Sequence, residues 1–495
     1  MRSRHAAHMT LPPSFRLCSP ARFTGFLATL LLLLVSGSKI AFAAELPAPV
    51  AAALGAARIP ADAVSVWVQP VDAPAPTLQL NAERPMNPAS VMKLVTAFAA
   101  MDRLGPAYQW TTRIATTGTV RHGVLHGNLY IVGGGDPFLT YERLWKLLRQ
   151  LRGLTGIDTV DGDIVLDDSA LLLPPHDPDA FDGRGLRPYN AGPYGLLMQF
   201  NSLRLSLLPA PRAGGEVRVA TDPPLAGLSV INRLKTSDGS CPVWYSGLDA
   251  RLEPGPRLVL EGSLPASCGR RDWSAAPLPP ADYALALTAA LWKELGGRVE
   301  GQVRNGPTPA AQADEVLRED SPPLADVVRD MNKWSSNVIA RQLLATLGST
   351  APTWTTDMVR AGAYVALTQL NAVGIPTAGL VLENGSGLSR QERVSAATLG
   401  QLLAVAWRRP WMPEYIAALP VAGVDGTARR RLADSPANGQ AHIKTGTING
   451  VRAMGGYVLD RNGRRHIVVM LVNHPEAAAS QAAQDALLEW VWAQN

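Results

Sequence analysis

Two lysines constrain this chain more than any other feature. Lys93 belongs to Ser90-Val91-Met92-Lys93 and Lys444 opens Lys444-Thr445-Gly446-Thr447, near the other end of the sequence. A fold that uses both must bring the start of a helix against a distant strand. Of the 46 Lys and Arg residues only seven are lysine, and a third one, Lys333, stands beside Ser335-Ser336-Asn337. A guanidinium cannot lose its proton in a protein, whereas a buried amine can. A composition that favours arginine yet keeps lysine at these places implies that the amine matters there.

Local patterns give each motif a setting. Ala61 to Leu80 reads as a strand pair, with Val64, Val66 and Val68 alternating before a Pro-rich turn. Asn87 suits a helix N-cap and Pro88 the first helical position. That helix runs through Leu94, Val95, Phe98 and Met101 to Leu104, and Gly105-Pro106 ends it. It is apolar nearly all round, so it should be buried. Residues 107–282 read as a mainly β region, with short alternating segments between Gly and Pro clusters. A helix is expected from Pro280 to Leu295, and helices dominate to about residue 410. A strand bearing Lys444 follows, then a hairpin turning at Asn462-Gly463, then a helix packed on the sheet. The expected architecture is an α/β domain in two pieces, residues 44–106 and 283–495, with the β-rich segment 107–282 inserted between them.

Residues 1–43 read as a secretory signal. Arg2, Arg4, Arg16 and Arg22 precede an apolar run, Phe26 to Val35, and Ala41-Phe42-Ala43 forms an A-x-A cleavage site. The run is too short for a bilayer span of roughly 20 residues, so no stable transmembrane anchor is expected. Loss of this segment removes Lys39 and the four arginines, leaving 41 basic against 41 acidic residues and no bulk-charge case for binding nucleic acid. Of the three cysteines, Cys241 and Cys268 remain, and an exported chain favours pairing them, with two free thiols as the alternative.

Spacing i to i+3 puts Ser90 and Lys93 on one helix face. Free lysine has a pKa near 10.4, so only about one in 2,500 is neutral at pH 7. Desolvation among Met92, Leu94 and Val95 would lower it and make Lys93 a usable general base. A lysine snorkelling to water is the competing reading. Ser335 and Asn337 sit between two helices and can point into a cleft, or simply cap a helix. Lys444, Thr445 and Thr447 could hold a carboxylate, and Gly446 would let a ligand backbone approach; a strand edge blunted by Lys is the alternative. Each motif alone is weak, but their order and settings together point to serine chemistry.

On these residues the chain resembles the D-alanyl-D-alanine carboxypeptidase/endopeptidase class of low-molecular-mass penicillin-binding proteins. The passages Gly127 to Pro137 and Asn384-Gly-Ser-Gly-Leu-Ser-Arg390 are also similar to that family, with mild departures at Asn128 and Asn384, and Arg341 stands where many relatives carry an acidic residue. The resemblance implies a serine penicillin-recognising fold, peptidoglycan stem peptides as substrate, β-lactam antibiotics as acylating inhibitors and no cofactor. It also implies roles. Ser90 is the nucleophile and Lys93 takes its proton, although the acylation base in Ser-x-x-Lys sites is disputed. Ser335 relays a proton to the leaving amine, Asn337 positions the acyl-side amide, and Lys444, Thr445 and Thr447 recognise the terminal carboxylate. The N–H groups of Ser90 and Thr447 form the oxyanion hole.

Three other readings compete. An exported β-lactamase needs a water-activating residue, and none is placed in the sequence. A metallopeptidase would use His122 and His126, but no Glu follows His122 and no third ligand is evident. A non-catalytic wall-binding protein would carry an inert Ser90. No feature specifies an oligomeric state.

Overall fold

The computed structural model describes residues 45–494 except 242, 310, 354 and 355. The expected signal segment lies outside these residues. At the centre is an antiparallel five-stranded sheet built from both ends of the chain. Its strands are β1 (Val64–Pro70), β2 (Leu78–Leu80), β3 (Ala441–Ile448), β4 (Val451–Leu459) and β5 (Arg465–Asn473), in the order β3-β4-β5-β1-β2. The strand pair expected before residue 80 is β1 with β2, and Asn462-Gly463 turns β4 into β5.

This sheet is buried on both faces, unlike many antiparallel sheets. Successive side chains alternate between the faces. Val468, Met470 and Val472 pack with Val50, Leu54, Leu487 and Val491 of the terminal helices. Ile467, Val469 and Leu471 pack with Trp67, Phe98 and Leu399 in a helical core on the opposite side. The last helix therefore lies on the sheet, as its sequence suggested.

The helices that matter to the site are α1 (Lys93–Leu104), α2 (Leu324–Trp334), α3 (Asn337–Ser349) and α4 (Ala396–Trp407). Helix α1 is buried from Lys93 to Met101 and stops at Gly105, which adopts φ 84°. Its entry differs from the sequence expectation. Pro88 does not open an α-helix; a 3-10 turn, Ala89–Met92, comes first, and Ala89 takes φ 44°. Asn87 Oδ1 accepts the Ala89 N–H at 2.9 Å, which bends the chain locally rather than capping a full helical turn.

The inserted segment carries several small sheets and also a helix, Tyr141–Thr155, that the β reading missed. Leu144, Leu147, Leu148 and Leu151 form its buried stripe. Strand pairing crosses the division expected at residue 283. Strands Arg298–Val299, Val303–Asn305 and Asp314–Asp320 pair with strands of the 107–282 segment. Helix Pro280–Glu294 packs in the same core through Tyr283, Leu287 and Leu291. The apolar residues Val299, Val303 and Leu317 pack there too, so the segment reaches to about residue 320 and the helices begin after it. Cys241 and Cys268 are joined in a disulfide with their Cα atoms 5.1 Å apart, in a hydrophobic cluster of this segment that includes Leu203, Leu205, Leu258 and Leu260.

Candidate active site

Three elements from distant parts of the chain meet at Ser90. The 3-10 turn presents it. In such a turn residues i and i+3 nearly eclipse, and Lys93 Nζ donates to Ser90 Oγ at 3.1 Å. Lys93 is fully buried while Ser90 stays partly exposed, the arrangement an attacking hydroxyl with a desolvated base requires. Lys93 also donates to Asn337 Oδ1 at 2.7 Å and to the Ser386 carbonyl. Asn473, at the end of β5, exchanges two 2.9 Å hydrogen bonds with the Asn87 backbone and fixes the turn to the sheet.

Ser335 ends α2 in a left-handed conformation, φ 59° and ψ 37°. A non-glycine residue there is strained, which at a site marks a functional constraint. The adjacent Ser336 performs the ordinary capping, accepting the Ile339 N–H at 3.3 Å. Ser335 Oγ is thereby left for Lys444, whose Nζ donates to it at 2.9 Å and to Thr445 O at 2.8 Å. Lys444 is also fully buried. Lys333 is different. It pairs with Asp425 at 2.6 Å and holds a loop, so only two of the three motif-adjacent lysines join the site.

Strand β3 is the edge of the central sheet. The two-residue turn Asn449-Gly450 makes Ile448 and Val451 its closing pair. In an antiparallel ladder the alternate residues Thr447 and Thr445 then turn their backbone groups to the open edge. A Cβ at Gly446 would fall 2.6 Å from Pro88 O and 2.9 Å from Ser90 N, so this glycine admits the Ser90 turn. Gly387 does the same from the other side: its added Cβ would meet Ala89 O, and Ser90 N at 2.6 Å.

The family model for D-Ala-D-Ala carboxypeptidase 3 (S13) matches residues 46–494. The chain belongs to that S13 family. A D-alanyl-D-alanine carboxypeptidase of Actinomadura sp. (strain R39) is 33% identical over 443 residues, covering 81% of this chain and 76% of that protein. The D-alanyl-D-alanine carboxypeptidase DacB of Haemophilus influenzae is 27% identical over 403 residues, covering 79% and 81%. The crystal structure of penicillin binding protein 4 (dacB) from Haemophilus influenzae gives a TM-score of 0.73 at 24% identity, with 90% of this chain and 99% of that one covered. A predatory endopeptidase from Bdellovibrio bacteriovorus gives 0.53 at 15% identity, covering 86% and 93%. These structures share the penicillin-recognising fold, and the chain is a serine-type D-Ala-D-Ala carboxypeptidase.

Several groups of this S13 enzyme's site have no sequence signature. Asn337 Nδ2 donates to Tyr189 O at 3.2 Å, and Arg341 Nη1 donates to Tyr189 O at 3.0 Å and Ala191 O at 2.6 Å. The inserted segment thus straps the start of α3. Glu392 is fully buried nearby. Burial holds the Lys93 ammonium well below the usual lysine range; Lys444 and Arg341 push the same way, and Glu392 opposes them. Burial lowers Lys444 to about 7 and Arg341 to about 10. Beside the site a cavity of about 740 Å³ is lined by His176, Phe181, Arg341, Asp357, Asn384 and Arg390 among others.

His122 and His126 do not approach one another as ligands on a helix would. His122 stands in the turn between strands Thr119–Arg121 and Val124–His126, and His126 Nδ1 lies 2.6 Å from Asp161. Among the described residues no group of three or more His, Cys, Asp or Glu could hold a metal ion, and no helix is long and apolar enough to cross a membrane.

Proposed function

We propose that this S13 enzyme cleaves both peptidoglycan stem peptides and their cross-links through an acyl-enzyme on Ser90, and that penicillin blocks it by acylating the same oxygen. The observation that carries the assignment is a fully buried Lys93 that donates to Ser90 Oγ at 3.1 Å. Among the described residues no carboxylate lies within 4 Å of its ammonium.

Ser90 Oγ attacks the carbonyl carbon of the D-Ala-D-Ala amide while Lys93 takes the hydroxyl proton. The N–H groups of Ser90 and Thr447 receive the developing oxyanion, each such donor being worth about 3–4 kcal/mol. The C–N bond then breaks, and the proton that Lys93 took from Ser90 passes, relayed by Ser335, to the leaving amine, with Lys444 supporting the relay through its bond to Ser335 Oγ. Asn337 orients the acyl-side amide. Lys444, Thr445 and Thr447 take the terminal carboxylate of the substrate, whose strand adds to the open edge of β3. Water hydrolyses the resulting ester and frees Ser90.

Labelled penicillin tests the site. It should attach to Ser90, and Ser90→Ala should abolish attachment. Label mapped to any other serine overturns the assignment, and an unlabelled wild type would favour a wall-binding protein. Rapid turnover of the penicilloyl ester would instead identify a β-lactamase. Digestion of purified cross-linked and uncross-linked muropeptides reads endopeptidase against carboxypeptidase action. We further propose a periplasmic site of action after cleavage near Ala43, which an intact-mass measurement of the exported protein checks.

A further inference from the structure

Glu392 is a fully buried carboxylate that none of these steps uses. Its Oε1 accepts three backbone N–H groups, from Glu383 at 3.2 Å, Asn384 at 3.0 Å and Gly385 at 2.9 Å. Its Oε2 is buried and has no protein partner. The backbone N–H of Glu392 is itself tied to Ser389 Oγ at 3.0 Å, and that hydroxyl donates to Glu383. Residues 383–392 are therefore a loop closed on itself, with Glu392 at the knot.

Three carbonyls and a glycine of this loop touch the nucleophile segment. The Ser386 carbonyl holds Lys93, the Gly385 carbonyl accepts Thr96 Oγ1 at 2.7 Å, and the Ser389 carbonyl accepts Asn87 Nδ2 at 2.9 Å. Gly387 lies against the backbone of Ala89 and Ser90. We propose that Glu392 is a positioning residue for acylation: its carboxyl group pins the loop that holds Lys93, and it is the acidic group in a pocket of buried cations. This rests on the reading of Lys93 as the base.

The charges that face Lys93 come from three elements. Lys444 comes from β3, Arg341 from α3 and Glu392 from the segment before α4, with Ser90 and Asn337 as neutral hydrogen-bond partners. Arg341 in turn is acted on by Glu392 and Glu383. Burial raises the Glu392 carboxyl above its ordinary value, while the three N–H bonds and the Lys93 charge pull it back toward the charged form.

The sign of the effect is fixed by this arrangement. Removing an anion beside Lys93 favours its neutral form, so Glu392→Gln should move the acidic limb of penicillin acylation to lower pH. The glutamine oxygen can still accept the three N–H bonds, so the fold is the least disturbed. Glu392→Asp keeps the charge but shortens the reach, and should lower the plateau while leaving the limb where the wild type has it. Arg341→Gln removes a cation and should move the limb to higher pH. A limb unmoved in Glu392→Gln, with only a lower plateau, overturns the proposal. If Glu392→Gln does not fold, an unmoved limb in Arg341→Gln overturns it instead. Lys93→Arg separates two failures. Acylation within about tenfold of wild type would remove the base assignment and the proposal with it. Lost acylation, beside charge variants with the wild-type limb, would remove only the role of Glu392.

Discussion

The catalytic cleft and the inserted segment place their charges in opposite ways. In the insert, Arg204 pairs with Asp222, Arg233 and Arg251 with Glu261, and Arg270 with Asp272. All four arginines are more than 40% exposed, so solvent screening leaves such pairs little to contribute. In the cleft, Lys93 and Lys444 have no exposed surface and bond to hydroxyl, amide and carbonyl oxygens. In these surface pairs of the insert charge is paired and wet. Charge that serves chemistry is buried beside neutral acceptors, where desolvation makes its proton removable.

The sharpest test of this contrast is Lys93→Arg. It keeps the positive charge and removes the titratable amine, so acylation should fall by about 10²–10⁴-fold. A stopped-flow rate near wild type would erase the distinction between the regions.

Lys444→Arg comes next. Lys444 is fully buried, so a larger guanidinium should cost ~1–3 kcal/mol in strain and slow acylation accordingly. Its pH profile is more telling. As pH rises, Lys93 loses its proton and the rate climbs. Lys444 loses its own near 7 and the rate falls, because a neutral amine holds a carboxylate poorly. In Lys444→Arg the falling limb should vanish, since guanidinium does not titrate there. A retained limb would assign it to another group.

Gly446→Ala probes geometry without charge. Its Cβ has no room against Pro88 and Ser90 N. We expect a loss of ~1–3 kcal/mol in denaturant unfolding and a slower acylation as the Ser90 turn shifts. Wild-type behaviour would mean that β3 and the turn separate freely.

Lys333→Arg should change acylation by less than about twofold, because Lys333 holds a loop through Asp425 and bonds to none of the reacting groups. A large loss would move Lys333 into the chemistry. Reduction of Cys241–Cys268 should have the smallest effect on catalysis. It should loosen the insert by ~2–4 kcal/mol in the chain-entropy picture and leave acylation unchanged. Slower acylation would show that the sheet around the disulfide communicates with the Tyr189 strap.

The same contrast explains what was legible beforehand. Ser90, Lys93, Ser335, Asn337 and Lys444 were readable because short-range spacing sets their placement on a turn, a loop and a strand. The helix at Tyr141–Thr155 carried a leucine stripe at helical period, yet its Gly- and Pro-rich surroundings suggested strands. Glu392 and Arg341 were not readable as site residues. They reach Lys93 only through tertiary contacts across roughly 250–300 positions, and nothing local marks them. The positive φ of Ala89 was equally silent, because it is imposed by Asn87, Gly387 and Gly446 closing on one turn.

The pairing of β1 with β5 has a consequence for how the enzyme is made. Val64 lies opposite Val472 and Val68 opposite Val468, so one of the first strands waits for one of the last. Contacts of such sequence separation are slow to form. During synthesis the Ser90 segment emerges early, but the Asn473 side chain that docks it and the Lys444 strand that faces it arrive only at the close. A growing chain thus carries its nucleophile for most of its length before the strands that complete the site around it exist.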